Sequence, residues 1–559
     1  MKTISRLVFI IIFANVNIIL SVAQTDSSLL SAIKEEVDRN LSELKIEGFP
    51  SPFFISYAVS DMHSVHIEAS HGAIVRSYET HGRYGLPFVL VGSFQQNNLK
   101  YNSGIYTPSR QKISLDNESA AIGFSIWADL DREYKKAVQN YEGKKGFLSQ
   151  MQLMPEELAL PDYEKTEAVK LMLPPEKINA DLKYWEEFAS TASAVANKYP
   201  EIIKSNITID LDNGMDYYYD TDDSQFAVPN VACRIVFYAW VIADDGEELF
   251  NHVFHSCSST DKLPDIKTFV TECEKAIAHL LMLKKAPLVD ESYFGPVLIE
   301  EEALGDLFRH NLFNNQLFAP YAFLNSGLGF KNDFEMMMGE RVISDQLTIK
   351  SLSGTKVYKG QILGGYFPID SEGVVPAEEL VLIENGVLKN MLSRRTTTLK
   401  NQRSNGHNRF RLSIIPFNSD IYFNRQVCPG VIHVTGQNTY KNAEMKHKLI
   451  DAARDAGLEY AYIISSMMSS ISGGYGIKIY VADGREEPVR GINIYHHDYK
   501  IFRKISSMSD EEYFNTVIYF NLSTYIIPKS MIFEEFELTK TDRSNMILSQ
   551  PFVIPKPTE

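Results

Sequence analysis

Before residue 288 apolar side chains recur at helical spacing in four separate segments; beyond it they do so once. That change of period divides the chain. Leu29, Leu30, Ile33, Val37, Leu41 and Leu44 alternate with Lys34, Glu35, Glu36 and Arg39, the pattern of an amphipathic helix ended by Pro50 and Pro52. Ser125 to Phe147 carries Trp127, Leu130, Tyr134 and Val138 on one stripe, and Asp181 to Tyr199 turns Leu182, Trp185, Phe188 and Ala192 inward. A fourth helix is expected from Pro264 to Leu283, with the proline in its first turn, where a missing N–H costs nothing. Between these segments lie runs rich in aromatic and branched residues: Phe53 to Val59, Ser64 to Ala69, Phe88 to Phe94, Ile207-Thr208-Ile209 and Arg234 to Val241. With Gly72, Gly82 and Gly85 as breaks, they read as strands.

Pro287, a charged stretch and Pro296 mark a boundary. The remainder of the chain is rich in strand-like runs separated by turn signals, among them the N-G and D-G turns of Ile383-Glu384-Asn385-Gly386 and Ala482-Asp483-Gly484-Arg485. One helix, Ala443 to Ala456, interrupts it. A chain of 559 residues can bury more than one core, and 44% apolar with 23% charged residues is the composition of a globular protein. The expected class is therefore α+β: an N-terminal α/β domain over residues 24–288 and a β-rich C-terminal domain over 289–559.

Residues 1–23 have a basic start (Lys2, Arg6), an apolar stretch from Leu7 to Leu20, and Ser21-Val22-Ala23 before Gln24. This is the pattern of a cleaved secretory signal peptide; Asn15 and Asn17 weaken the competing reading of a membrane anchor. A secreted or periplasmic location is expected, with no membrane attachment after cleavage. Losing Lys2 and Arg6 would take the formal charge from −16 to −18. So acidic a chain, without a basic stripe, is not built to neutralise phosphates, which argues against nucleic acid as a partner. Cys233, Cys257, Cys273 and Cys428 are too few and scattered for a disulfide framework, although one bridge of unassigned pairing is compatible with an oxidising compartment.

Val297 to Asp306 reads V-L-I-E-E-E-A-L-G-D. In zinc peptidases an apolar run leads into H-E-x-x-x-H, where two imidazoles hold the metal and the Glu handles the proton of the attacking water. Here Glu301 and Asp306 occupy the imidazole positions and Glu302 the position of the base.

Further landmarks come in order: Tyr366-Phe367-Pro368-Ile369-Asp370-Ser371-Glu372-Gly373, then Leu382 to Lys389 with its L-I-E-N-G, then Ser404-Asn405-Gly406-His407-Asn408-Arg409. Ser472-Gly473-Gly474 and Val489-Arg490-Gly491 complete the set. Together they resemble the TldD/PmbA family of metallopeptidases and their non-catalytic partner subunits. The resemblance is looser before residue 289. It implies an N-terminal α/β domain, a β-rich C-terminal domain, and dimers enclosing a chamber that admits short or unfolded peptides. It also implies that the catalytic subunit holds zinc through both histidines of H-E-x-x-x-H and a Cys near its C-terminus, whereas the partner lacks these ligands and shapes the chamber. In this sequence Glu301 and Asp306 replace the histidines and no Cys follows Cys428.

Carboxylates could in principle replace the lost donors. Glu302, Asp306 and His310 fall at i, i+4 and i+8, on one face of an unbroken helix, and could bind a divalent ion. The simpler expectation is a solvated helix N-terminus at Glu300 to Glu302, where the helix dipole favours negative charge. His252, His255 and Cys257 suggest a metal cluster, but strand alternation points His252 away from the other two, and His496-His497 fails likewise. Ser353-Gly354-Thr355-Lys356 matches S-x-x-K, as does Ser31 to Lys34 in an ordinary helix, so a serine mechanism is only weakly indicated. Arg394, Arg395, Asn405, Gly406 and Arg409 fall where the resemblance implies chamber lining; Arg394, Asn405, Gly406 and Arg409 are the expected substrate-binding residues, against the alternative of a basic surface loop.

The sequence therefore predicts a pseudoenzyme: the non-catalytic subunit of a peptide-degrading complex, in a homodimer or in a heterodimer with a TldD-like subunit. No catalytic residue, metal or cofactor is expected in this chain, with zinc held by the catalytic partner. The alternatives are an active metallopeptidase with a carboxylate-rich site, and a peptide-binding protein that belongs to no protease.

Overall fold

The computed structural model describes residues 28–102, 112–151, 159–322, 324, 329–330, 332–414, 421–466, 474–494, 498–519 and 521–542. The expected signal peptide, Ser472-Gly473 and His496-His497 lie outside the described residues.

Helix α1 (28–43) buries Leu29, Leu30, Ile33 and Val37. It stops before the two prolines rather than at them, and Gly48 at φ +81° turns the chain toward the first strand. Strands β1 (Pro52–Ser70) and β2 (Ala73–Val91) form a hairpin of two 19-residue arms. His71 (φ +49°) and Gly72 (φ +87°) close it, both left-handed, as a two-residue type I′ turn requires. The three short strands expected here are thus fused into two long ones. Gly82 and Gly85 lie inside β2 rather than between strands. A Cβ on Gly85 would sit 2.0 Å from the Tyr57 hydroxyl, which donates to Asp129 at 2.7 Å. That glycine marks a close approach of side chain to backbone, not a break.

Strands β3 (Lys112–Ile113), β4 (Lys170–Met172), β5 (Ile202–Asp220), β6 (Gln225–Ile242) and β7 (Glu248–Cys257) complete a seven-stranded sheet. Its order is β3-β2-β1-β5-β6-β4, with β7 also paired to β6. Helices α2 (Ser119–Leu148), α3 (Leu182–Ser193) and α4 (Ile266–Lys284) pack with α1 on one face. In α2 the inward stripe holds Leu130, Tyr134 and Val138 as expected, but Ile126 replaces Trp127, which is exposed. Asp181 and Asp265 cap α3 and α4 by accepting backbone N–H groups; Pro264 precedes that second cap and is not in the first turn. Ile55, Tyr57 and Val59 of β1 pack beneath α1 and α2, whereas Val65, Ile67 and Ala69 pack beneath α3 and α4.

From residue 293 two sheets face each other. One joins Val387–Leu388, Leu380–Glu384, Leu347–Ser351, Val431–Gly436, Leu522–Pro528 and Glu512–Ile518; the other includes β8 (Tyr293–Glu300), Tyr460–Ser466, Gly474–Tyr480 and Ser530–Lys540. Helix α5 (Glu301–Phe308) contributes Ala303, Leu304, Leu307 and Phe308 to the core shared by both. Helix α6 (Met445–Asp455) covers the outer side through Met445, Leu449 and Ala453 against Leu298 and Ile532. The N-G hairpin forms as expected, with Asn385 at φ +47° and Gly386 at φ +78°. The fold class is α+β.

The two halves are joined by specific contacts. The hairpin Asn408–Ile414/Ile421–Val427 lays Phe410 and Phe423 against Ala58, Tyr218 and Phe226 on the sheet face opposite the helices. Arg490 donates to Asp245 at 2.7 Å, to Glu247, and to the Ala286 carbonyl at 3.0 Å. No helix among the described residues is long and apolar enough to cross a membrane.

Candidate functional site

The chain leaves β8 at Glu300 and enters α5 at Glu301 with φ +46°, a left-handed conformation uncommon for a residue with a side chain. The turn is fixed by Glu301 N–H donating to the Lys529 carbonyl at 2.8 Å. Glu301 is exposed, its carboxylate 3.9 Å from Lys529 Nζ. Gly305 has no room for a side chain: a Cβ there would lie 2.2 Å from Asn515 Nδ2.

The carboxylates of this helix are each drawn to a different base. Glu302 Oε1 lies 2.7 Å from His252 Nε2 on β7, while Asp306 accepts from Arg309 at 2.7 and 3.2 Å. Burial alone would lower the His252 imidazole; the Glu302 carboxylate, with Asp306 behind it, outweighs burial and raises it above its ordinary value. Helix α5 ends at Phe308 and continues as a π-turn, Arg309–Phe313, so the i, i+4, i+8 stripe is broken. His310 Nδ1 meets the Asp306 backbone carbonyl at 2.9 Å, not its carboxylate. Among the described residues, no group of three His, Cys, Asp or Glu ligand atoms close enough to share an ion includes Glu301, Glu302, Asp306 or His310. The carboxylates are each paired with a base, and the His252 imidazole beside them is itself engaged by Glu302, a poor donor set for zinc.

The other sequence candidates separate. His255 binds Glu272 at 2.7 Å and Cys257 lies opposite Cys233 in the β6–β7 register, so His252, His255 and Cys257 share no site. All four cysteines are free. Ser353 is fully buried, its Oγ accepting from Gly430 and Val431 N–H at 3.2 Å each and meeting His407 Nε2 at 3.2 Å. Burial holds His407 neutral, down to about 3, while Lys356 lies over the Tyr366 ring. Ser353 is thus a core hydroxyl and not an accessible nucleophile.

The landmarks after residue 366 mostly clamp backbone. Asp370 accepts N–H from Glu372 and Val374 at 2.9 Å each and from Asn408 at 3.1 Å; burial, then the Glu372 charge, push its carboxyl up to about 7. Asn405 accepts from Ser393 N–H at 2.8 Å and donates to the Met391 carbonyl at 2.7 Å. Gly406 takes φ +77°, where a Cβ would press on Pro376 at 2.9 Å. Arg409 donates to the Pro429 and Leu522 carbonyls at 3.1 and 3.0 Å. Arg395 is fully buried, 4.4 Å over the Tyr163 ring, and donates to the Glu164 carbonyl at 2.9 Å. Arg394 lies 5.0 Å over the Tyr321 ring; its buried Nε, like Nη2 of Arg395, has no hydrogen-bond partner among the described residues.

Sequence reading missed the link between Glu302 and His252, and it left no trace: the two are fifty positions apart, one on a helix and the other on a strand of the N-terminal sheet. It also missed a charged row on the sheet face away from the helices. There His66 Nδ1 meets Asp210 Oδ1 at 2.6 Å, and Arg234 Nε donates to Asp210 at 3.0 Å. Strand alternation of β1, β5 and β6 could have placed these on one face.

Residues 293–540 match the family model described as PmbA/TldA metallopeptidase C-terminal domain. No curated protein sequence matches the chain. Three solved structures share its fold. TldE from Thermococcus kodakarensis is 12% identical with a TM-score of 0.55, covering 87% of this chain and 97% of its own. A proposed modulator of a DNA gyrase from Thermotoga maritima is 14% identical with a TM-score of 0.57, covering 90% and 100%. A proposed modulator of DNA gyrase from Bacteroides thetaiotaomicron is 12% identical with a TM-score of 0.56, covering 91% and 98%. Residues 293–540 thus match the PmbA/TldA metallopeptidase C-terminal domain, and most of the chain shares the fold of these structures.

Proposed function

We propose that this chain is the non-catalytic half of a secreted or periplasmic peptide-degrading complex, paired with a TldD-like subunit that holds the zinc. One observation carries the reading: on the helix where a catalytic member would offer two imidazoles, Glu302 is paired with His252 and Asp306 with Arg309. A zinc ion would have to break both pairs, and would meet carboxylate oxygens and the His252 imidazole in place of the two imidazoles and thiolate of a catalytic member. The alternative of an active, carboxylate-rich metallopeptidase has no convergent donor set on α5 among the described residues.

In this reading the chain supplies wall and peptide contacts. Arg394 is the residue best suited to hold peptide: it is half-buried over Tyr321, whereas the side chains of Asn405 and Arg409 already serve backbone groups. Co-expression with a histidine-bearing relative tests the proposal. The two chains should co-purify and cleave an unstructured peptide that this chain alone leaves intact; hydrolysis by this chain alone would overturn it.

A further inference from the structure

Between the α1–α2 and α3–α4 layers a strip of the sheet lies uncovered. The apolar run of β1 is covered up to Val59 and again from Val65, and neither helical core includes the residues between. Asp61 and His63 stand in that gap on the helix-bearing face. Across the hairpin their register partners are Arg83 and His81. The two imidazoles stack with centroids 3.7 Å apart and planes 15° from parallel. His81 Nε2 lies 2.6 Å from Asp61 Oδ1. Neither His63 nitrogen has a hydrogen-bond partner among the described residues.

From this geometry we infer that Asp61, His63 and His81 form a binding site for one divalent transition-metal ion of the zinc class. One ligand atom from each already lies within 4.8 Å of the others. Zinc bonds of about 2.0–2.1 Å in tetrahedral geometry need ligand atoms about 3.4 Å apart. Both histidines are exposed, so small rotations of their rings reach that spacing without moving backbone. The Asp61–His81 contact would open slightly as the ion takes the place of the hydrogen bond.

Arg83 looks like an obstacle and acts as a brace. Its Nε donates to Asp61 Oδ2 at 2.7 Å, while its Nη1 donates to the Ser114 carbonyl at 3.1 Å and Asn117 Oδ1 at 2.8 Å. Held from the loop before α2, it fixes the carboxylate by one oxygen and leaves the other facing the histidines, as an outer-shell partner orients a ligand. The nearby Glu79 carboxylate offsets its charge at His63. Two imidazoles and one carboxylate suit zinc, cobalt, nickel or copper(II) and not magnesium or calcium. Three protein ligands leave a fourth position to solvent. The site shares no residue with α5, so it stands or falls independently of the proposed function.

Cobalt(II) titration of the full mature protein, followed by visible absorption, with zinc chloride competition by calorimetry, tests the site. One equivalent per chain should bind and give the intense visible bands of tetrahedral cobalt. His63→Ala and His81→Ala should each weaken binding at least about tenfold, with circular dichroism unchanged, whereas Glu302→Gln should leave it unaltered. Absence of stoichiometric binding in the parent protein, or equal affinity in the His63→Ala/His81→Ala double variant, would overturn the assignment.

Discussion

The Glu302 carboxylate lies 2.7 Å from Nε2 of His252, joining helix α5 to the edge strand of the N-terminal sheet. Glu302 is thereby held as half of an ion pair between the two parts of the chain.

That pair predicts a pH signature. The folded-state value of His252 is raised, so its contribution to stability is fully present below about pH 6.5 and is lost as pH rises through the raised value. Glu302 is partly exposed, which limits the contribution to below about 1 kcal/mol. Thermal melts of the parent and Glu302→Gln should differ most near about pH 5.5 and converge near about pH 8.5. A gap that widens with pH would contradict the pairing.

Arg490 should matter far more. It is buried against Glu247, which is 3% exposed, and Asp245. Arg490→Ala leaves a buried carboxylate without its cation and should cost about 3–5 kcal/mol. Denaturant unfolding measures it; a loss below about 1 kcal/mol would show that water replaces the guanidinium.

The two candidate arginines of the chamber should behave differently. Arg409→Ala strips donors from the Pro429 and Leu522 carbonyls and should destabilise the fold by about 2–4 kcal/mol. Arg394→Ala removes a guanidinium with an unspent donor and should weaken peptide capture while the melting temperature stays nearly constant. Fluorescence anisotropy with a labelled unstructured peptide, beside thermal melts, separates the effects. Unchanged capture by Arg394→Ala would remove that residue from the site.

Periodicity and turn chemistry carried most of the architecture. The four N-terminal helices and the Asn385-Gly386 hairpin are local effects, written in spacing and left-handed turn residues. Expectations failed where a glycine or proline was read in isolation. Gly85 serves the Tyr57 hydroxyl, a contact set by strand pairing, and Pro264 stands before the capping Asp265. For the site, the carboxylates at residues 301 and 306 were legible by type alone. The fate of the replacing carboxylates was not: the π-turn at Arg309 and the approach of His252 arise from tertiary packing. The same holds for Asn405 and Gly406, whose motif reads as recognition but whose atoms hold backbone.

Helix α5, on this reading, holds no catalytic metal. Zinc content of the purified His63→Ala/His81→Ala protein, with the hairpin site removed, tests this most directly. Elemental analysis after dialysis should find well under one zinc per chain, unchanged by Glu301→Ala or Asp306→Ala. One tightly held zinc that disappears with either substitution would contradict it.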